Sequence, residues 1–201
     1  MKDATIIRSG KTPEDRPEPE TGQTEENELL RRIAARDAGA FERFYLIYHP
    51  RLFRFILRIT RNPDQVEELI HETLLFVWEQ PSRFNATSKV STWVFGIAYN
   101  KALKAASRAL RRSNDLDIDE FVDVLGDPLG NHSERREAED WMHAALATLS
   151  VEQRAVVLLT FVDGLPYEEI AQVLECPENT VKTRMFHARR KLQAFANDSR
   201  S

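Results

Sequence analysis

Cysteine occurs once, glycine seven times and proline nine times in 201 residues. One cysteine excludes an internal disulfide framework and fits a reducing cytoplasm. The few glycines nowhere form a phosphate-cradling loop. The five histidines, His49, His71, His132, His143 and His187, make no closely spaced metal-binding pair with one another or with Cys176. Apolar runs are short and broken by charge, so no membrane span is expected. The opening MKDATIIRSGKTPEDRPEPE lacks the continuous apolar stretch of a secretory signal. Glu67, Glu68 and Glu72 cluster, but with no nucleophile or glycine-rich loop beside them they read as a solvated or docking face. No enzyme, metal or cofactor is expected. No convincing strand pattern and no internal repeat are found, which leaves an all-α fold.

What is present is charge, and it is segregated. The formal net charge is −4 overall. Residues 1–28 carry −4, residues 29–112 carry +8, residues 113–140 carry −8, and residues 141–201 are neutral. Within Pro177–Lys191 five basic residues face one acid. Two separate basic surfaces suit contact with a polyanion, and they would equally suit two solvated helical domains. The −8 segment next to the +8 one predicts internal screening, visible as a salt-sensitive contact between domains.

Residues 1–23, rich in Pro, Glu, Thr and Gly, read as a disordered tail. Helical spacing starts at Thr24, a potential cap, with Leu29, Leu30 and Ile33. Asp37 caps a helix with an aromatic stripe of Phe41, Phe44, Tyr45 and Tyr48, which Pro50 interrupts before Leu52–Ile59 resume the core. Asn62-Pro63-Asp64 is a turn opening the helix Gln65–Gln80. That helix buries Val66, Leu69, Ile70, Thr73, Leu74, Val77 and Trp78 and offers Glu67, Glu68, His71, Glu72 and Glu79 outward. Pro81 ends it, the loop PSRFNATSK follows, and a long helix runs from about Ser91 to Arg112. Trp93 and Tyr99 beside its late cluster of Lys and Arg suggest bases stacking on rings while cations track phosphates. Two small helical domains result, 24–112 and 138–197, joined by an acidic linker over 113–137.

The second domain ends in PYEEIAQVLECPENTVKTRMFHARRKL. Ile170, Ala171, Val173 and Leu174 form one apolar stripe, and the turn falls at Glu175-Cys176-Pro177. Val181, Met185, Ala188 and Leu192 form a second stripe, leaving Lys182, Thr183, Arg184, His187, Arg190 and Lys191 to project elsewhere. Pro177 suits a first helical position and Glu178 the helix N-terminus. This is a helix-turn-helix with a basic recognition helix, or in the plainer reading a surface hairpin with a solvated face. Cys176 is expected to be a small turn residue rather than a redox switch.

With both halves placed, the chain resembles an RNA polymerase sigma factor of the extracytoplasmic-function type. The N-terminal likeness runs through AFERFYLIYHPRLFRFILRITRNPDQVEELIHETLLFVWE and STWVFGIAYNKALK. The C-terminal one runs through LATLSVEQRAVVLLTFVDGLPYEEIAQVLECPENTVKTRMFHARRKL. The resemblance implies that the chain directs core polymerase to promoters, melting the −10 element and reading the −35 element. It implies core polymerase, through its large clamp subunit and flap, as a partner, with Glu68, Leu69, His71 and Glu72 on the helix that docks on the clamp. Glu68 and His71 replace the acid and the glutamine usual there. It assigns Asn85, Ser88, Lys89, Trp93, Lys101 and Lys104 to −10 DNA, with a pocket for a flipped base. It assigns Tyr167, Glu168, Asn179, Thr180, Lys182, Thr183, Arg184, Phe186, His187 and Arg190 to the −35 element. His187 stands where arginine is frequent, and Thr160 at a place often basic, so −35 specificity is the chain's own. An anti-sigma factor is implied as a further partner. The alternative from the residues is an autonomous helix-turn-helix regulator whose N-terminal helices dimerise or sense a ligand.

Overall fold

The computed structural model describes residues 19–113 and 132–199, and among them every regular element is helical. The first unit holds α1 (Pro19–Ala34), α2 (Ala38–Thr60), α3 (Val66–Glu79) and α4 (Val90–Ser113). The second holds α5 (His132–Ala147), α6 (Val151–Phe161), α7 (Tyr167–Val173) and α8 (Glu178–Asp198).

Local chemistry sets most of the boundaries. The Asp37 side chain accepts from the Ala40 amide at 3.1 Å and starts α2. Ser150 and Gln153 close a reciprocal capping box at the head of α6. Asn62 accepts from the Asp64 amide at 3.1 Å and leads through a 3-10 turn, Pro63–Gln65, into α3. Gly164, at φ 68°, makes the left-handed step between α6 and α7.

Four expectations are corrected. Helix α1 begins at Pro19, upstream of Thr24, so residues 19–23 are helix rather than tail; residues 1–18 lie outside the described part. Pro50 does not interrupt: α2 runs through it. The proline is on the exposed side, and Leu46, whose carbonyl loses its partner there, is 67 % exposed, so water can serve the freed oxygen. Helix α5 begins at His132, taking in the last residues of the expected linker; residues 114–131 are outside the described part. Pro177 is the residue before α8 rather than its first turn.

The core of the first unit stacks Phe44, Tyr48, Leu52, Phe55, Ile56 and Ile59 of α2 against Ile33, Ile70, Leu74 and Phe95. Spacings of three and four keep these α2 residues on one stripe. The second unit buries Val156, Leu159, Ile170, Val173, Val181, Met185 and Ala188. The buried residues of both units form one continuous cluster, with α7 on α4 and α6 on α2. The α7 backbone passes close to α4 at Gly96, where a Cβ would lie 4.0 Å from the Val173 Cα, in ordinary van der Waals contact.

A buried cation also joins the units. Arg154 of α6 is only 4 % exposed. It donates to Leu146 O at 3.0 Å and Leu149 O at 3.1 Å, and across to Arg58 O at 2.9 Å and Ile59 O at 3.3 Å in α2. Arg58 and Ile59 lie in the last turn of α2, Leu146 near the end of α5 and Leu149 in the connection to α6, so the guanidinium fork gathers carbonyls that the end of α2 and the α5–α6 connection leave facing inward. Burial lowers the Arg154 pKa to about 10, which leaves it charged at neutrality.

Candidate nucleic-acid and docking interfaces

The first surface is the outer face of α3. Glu67, Glu68, His71, Glu72, Leu75 and Glu79 are exposed there, at spacings that one helix face allows. Leu69 is 8 % exposed, on the stripe of Val66, Ile70 and Thr73, and reaches the surface as part of the wall of the groove between α3 and α4. Leu75, 52 % exposed among acids, is the apolar side chain this face offers. The signal for it was in the sequence: it is four residues after His71 and breaks a polar stripe.

Between α3 and α4 a groove of about 450 Å³ is lined by Glu68, Leu69, Glu72, Lys101, Lys104 and Arg108. Acids sit on one wall and cations on the other. Lys101 Nζ reaches Glu72 Oε2 at 2.7 Å, joining the expected polymerase-docking acid to an expected DNA-binding cation. Lys104 and Arg108 are exposed.

The second surface is the loop before α4. The Asn85 side-chain oxygen accepts from the Thr87 amide at 3.1 Å and the Thr87 hydroxyl at 2.7 Å, an Asx-type turn that fixes the loop. Ala86 takes a left-handed φ of 57° at its tip. Trp93 is half-buried between Phe84, 5.6 Å between ring centroids, and Phe76, 6.4 Å away. The loop therefore combines a ring cluster with exposed Asn85 and part-exposed Ser88 and Lys89. Ser88 bonds only locally, to Lys89 O at 3.4 Å.

Lys89 is not free. Its Nζ is 2.6 Å from Glu169 Oε1 of α7, and the Thr92 hydroxyl donates to Glu169 Oε2 at 2.9 Å. Neither Thr92 nor Glu169 stood out in the sequence. The available signal was Lys89, just before α4, followed by Thr92, Gly96 and Asn100 within it, polar or small at helical spacing in a helix whose opposite side is apolar.

The third surface is the first half of α8. Asn179, Lys182, Thr183, Phe186, His187 and Arg190 are exposed together, with Phe186 at 58 %. Lys182 pairs with Glu178 at 2.7 Å, Thr183 donates to Asn179 O at 2.9 Å, and the Arg190 guanidinium lies 5.9 Å from the Phe186 ring centre. Thr180 and Arg184 flank this stripe and are part-buried, and Arg184 donates to Cys176 Sγ at 3.5 Å. Arg184 thus ties α8 to its turn. On α7, Glu168 is exposed while Tyr167 packs partly against the core. Thr160, in α6, donates back to Val156 O at 2.7 Å.

Beside these surfaces Arg51 bridges the units. It lies 3.6 Å from Glu26 and 3.5 Å from Asp163, between the rings of Tyr48 and Phe95. Burial raises the Asp163 pKa against the lowering pull of Arg51, Arg54 and Arg58. Burial likewise raises that of Glu26, opposed by Tyr48 and Arg51. Among the described residues no group of His, Cys, Asp and Glu could hold a metal ion.

The geometry matches known proteins over both units. Residues 44–112 match the family model for Sigma-70 region 2, and residues 139–192 that for Sigma-70 region 4. The RNA polymerase sigma-H factor of Pseudomonas aeruginosa is 28 % identical over 83 % of this chain and 91 % of its own. The ECF RNA polymerase sigma factor SigK of Mycobacterium bovis is 30 % identical over 82 % of this chain and 90 % of its own. Among solved structures, the sigma factor RpoE of Bartonella quintana, crystallised with the anti-sigma factor NepR, superposes with a TM-score of 0.64. It is 26 % identical and covers 78 % of this chain and 96 % of its own.

Proposed function

The chain belongs to the extracytoplasmic-function RNA polymerase sigma factors, and from that membership we propose how its three surfaces divide the work. It is a sigma factor, a regulatory subunit that directs transcription initiation by binding DNA. The outer face of α3 docks on the large clamp subunit of core polymerase, with Glu68, His71 and Glu72 meeting cations and Leu75 filling an apolar spot. The second unit meets the polymerase flap. The loop before α4 takes an extruded −10 base against the Phe84–Trp93–Phe76 rings, with Asn85 and Ser88 at its edge. Lys89, Lys101 and Lys104 hold the flanking phosphates. Helix α8 reads the −35 major groove through Asn179, Lys182, Thr183, Phe186, His187 and Arg190, while Glu168 and Tyr167 steady the approach.

The observation that carries this reading is the co-exposure of the α3 and α8 stripes on a chain that matches both sigma regions in order. No observation favours the autonomous regulator. No described helix is long and apolar enough to cross a membrane, and the proposed site of action is the cytoplasm. An anti-sigma factor is the proposed antagonist, as RpoE has NepR.

The test is pull-down and run-off transcription with purified core polymerase, on promoters selected by the reconstituted holoenzyme. Glu68→Lys with Glu72→Lys should weaken core binding by about tenfold or more, since like charges across an interface repel. Unchanged core binding would place the docking face elsewhere.

A further inference from the structure

The tip of the loop before α4 is tied in a way that decides what one side chain can offer. We infer that the Asn85 amide is a hydrogen-bond donor held at the rim of the base site, with Thr87 as the residue that positions it. The site then selects an extruded base carrying a carbonyl oxygen and disfavours adenine. This rests on the loop receiving a −10 base, as proposed above, and adds what that base must present.

The orientation of Asn85 follows from its partners. A backbone amide can only donate, so the Asn85 atom that meets the Thr87 amide at 3.1 Å is the side-chain oxygen. The Thr87 hydroxyl donates to the same oxygen at 2.7 Å. Flipping the Asn85 amide would set its NH2 against the Thr87 N–H, donor facing donor, and break the backbone bond. Ala86 between them has a φ of 57°, a left-handed conformation that alanine rarely adopts and that the turn closes over. With its oxygen engaged twice, the group that exposed Asn85 turns outward is the NH2.

The neighbouring side chains are committed elsewhere. The Thr87 hydroxyl donates to Asn85, the Ser88 hydroxyl to Lys89 O at 3.4 Å, and the Lys89 ammonium pairs with Glu169 at 2.6 Å. The Asn85 NH2 is left as the uncommitted side-chain donor at the tip, and PSRFNATSK contains no acid to draw it away. Asn85 directly follows Phe84, whose ring centre lies 5.6 Å from that of Trp93, so a base lying on those rings turns its edge toward the tip. Cytosine, thymine and guanine each carry a carbonyl oxygen, whereas adenine has none and presents an amine where guanine has O6. A carbonyl completes the Asn85 donor. An amine leaves two donors facing each other without partners, which is how a site built to hydrogen-bond one base rejects another.

The test uses holoenzyme reconstituted from core polymerase and the full chain, with promoter fragments whose −10 non-template strand is unpaired, compared by competition binding at fixed salt. An abasic site walked through the −10 element marks the extruded position as the one where binding falls most. At that position adenine is compared with hypoxanthine, the same ring with a carbonyl oxygen in place of the amine. The wild type is expected to bind the hypoxanthine fragment about fivefold more tightly, the scale of one neutral hydrogen bond. Asn85→Asp keeps the turn but replaces the NH2 with an acceptor, and is expected to erase or invert that ratio. Thr87→Val keeps the shape without the hydroxyl, and is expected to shrink the ratio to about twofold. A merely structural effect of either change would weaken both fragments alike and leave the ratio where it was. Equal binding of the two bases by the wild type, or a ratio untouched by Asn85→Asp, overturns the donor assignment while the abasic loss keeps the base site. A ratio untouched by Thr87→Val overturns the positioning role of Thr87. If no abasic substitution weakens binding, no base enters the loop and both readings fall.

Discussion

Arg154 shows how one residue can matter without touching a partner molecule. Its four acceptors are backbone carbonyls, two in the last turn of α2, one near the end of α5 and one in the connection to α6. Removing it spares the desolvation of a cation but orphans acceptors from two units. Because four hydrogen bonds already offset the desolvation of the guanidinium, while its removal leaves buried carbonyls short of partners, the second effect should win. Arg154→Met is expected to lower stability by about 2–4 kcal/mol in urea unfolding; a neutral result would mean water reaches those carbonyls. Asp163 makes a different prediction. Its folded pKa is raised by burial above 3.8, so the native state holds its proton where the unfolded chain has lost it. Its contribution is therefore greatest below 3.8 and declines as pH rises through the folded value. Relative to Asp163→Asn, the wild type should lose melting temperature as pH climbs from about 4 toward neutrality, and a constant difference would contradict the burial argument. Sequence made the exposure of Lys182, Thr183 and His187 legible because helical period alone puts them outside, whereas Phe186 came only from the family resemblance. Arg154 and Asp163 were not legible, since nothing local to them names α2 as their neighbour.

Among the elements, helices with caps written in side chains were readable. Asp37, Asn62 and Ser150 each stand before an apolar period, and each accepts a backbone amide near the helix start. The capping box at Ser150 carries the start of α6 and hence the placement of Arg154 one turn later. Ser150→Ala should cost about 1 kcal/mol in thermal or urea unfolding, and less than a few tenths would mean water replaces the hydroxyl. The misread elements fail for physical reasons too. Proline normally ends a helix, but Pro50 sits where solvent can satisfy the released carbonyl, so the apolar stripe on the opposite face keeps α2 whole. Leu69 and Leu75 are both leucines on α3; only the phase of the buried stripe distinguishes a core residue from an exposed one.

For the molecule as a whole, composition pointed to segregated charge, and the acids it nominated for screening the basic unit lie mostly in residues 114–131, outside the described part. The carboxylates that reach the basic unit in the described residues include Asp163, Glu169 and Glu175, from α7 and its flanking turns rather than the −8 segment, most of which lies outside the described part. Thr92 and Glu169 are 77 positions apart, and no periodicity reports such a pairing. The contact is also only partly ionic. Val173 over Gly96 and the Arg154 bonds to α2 carbonyls are short-range and sheltered, so salt should weaken the Lys89–Glu169 pair without separating the units. Co-expressed fragments 1–113 and 114–201 are therefore expected to co-elute in gel filtration at low salt and still at about 1 M, where the Debye length is about 3 Å. A Glu169→Gln change should leave that association in place, whereas Arg154→Met should loosen it. Dissociation of the native pair by salt alone would show that charge, not packing and carbonyl capture, holds the two halves together.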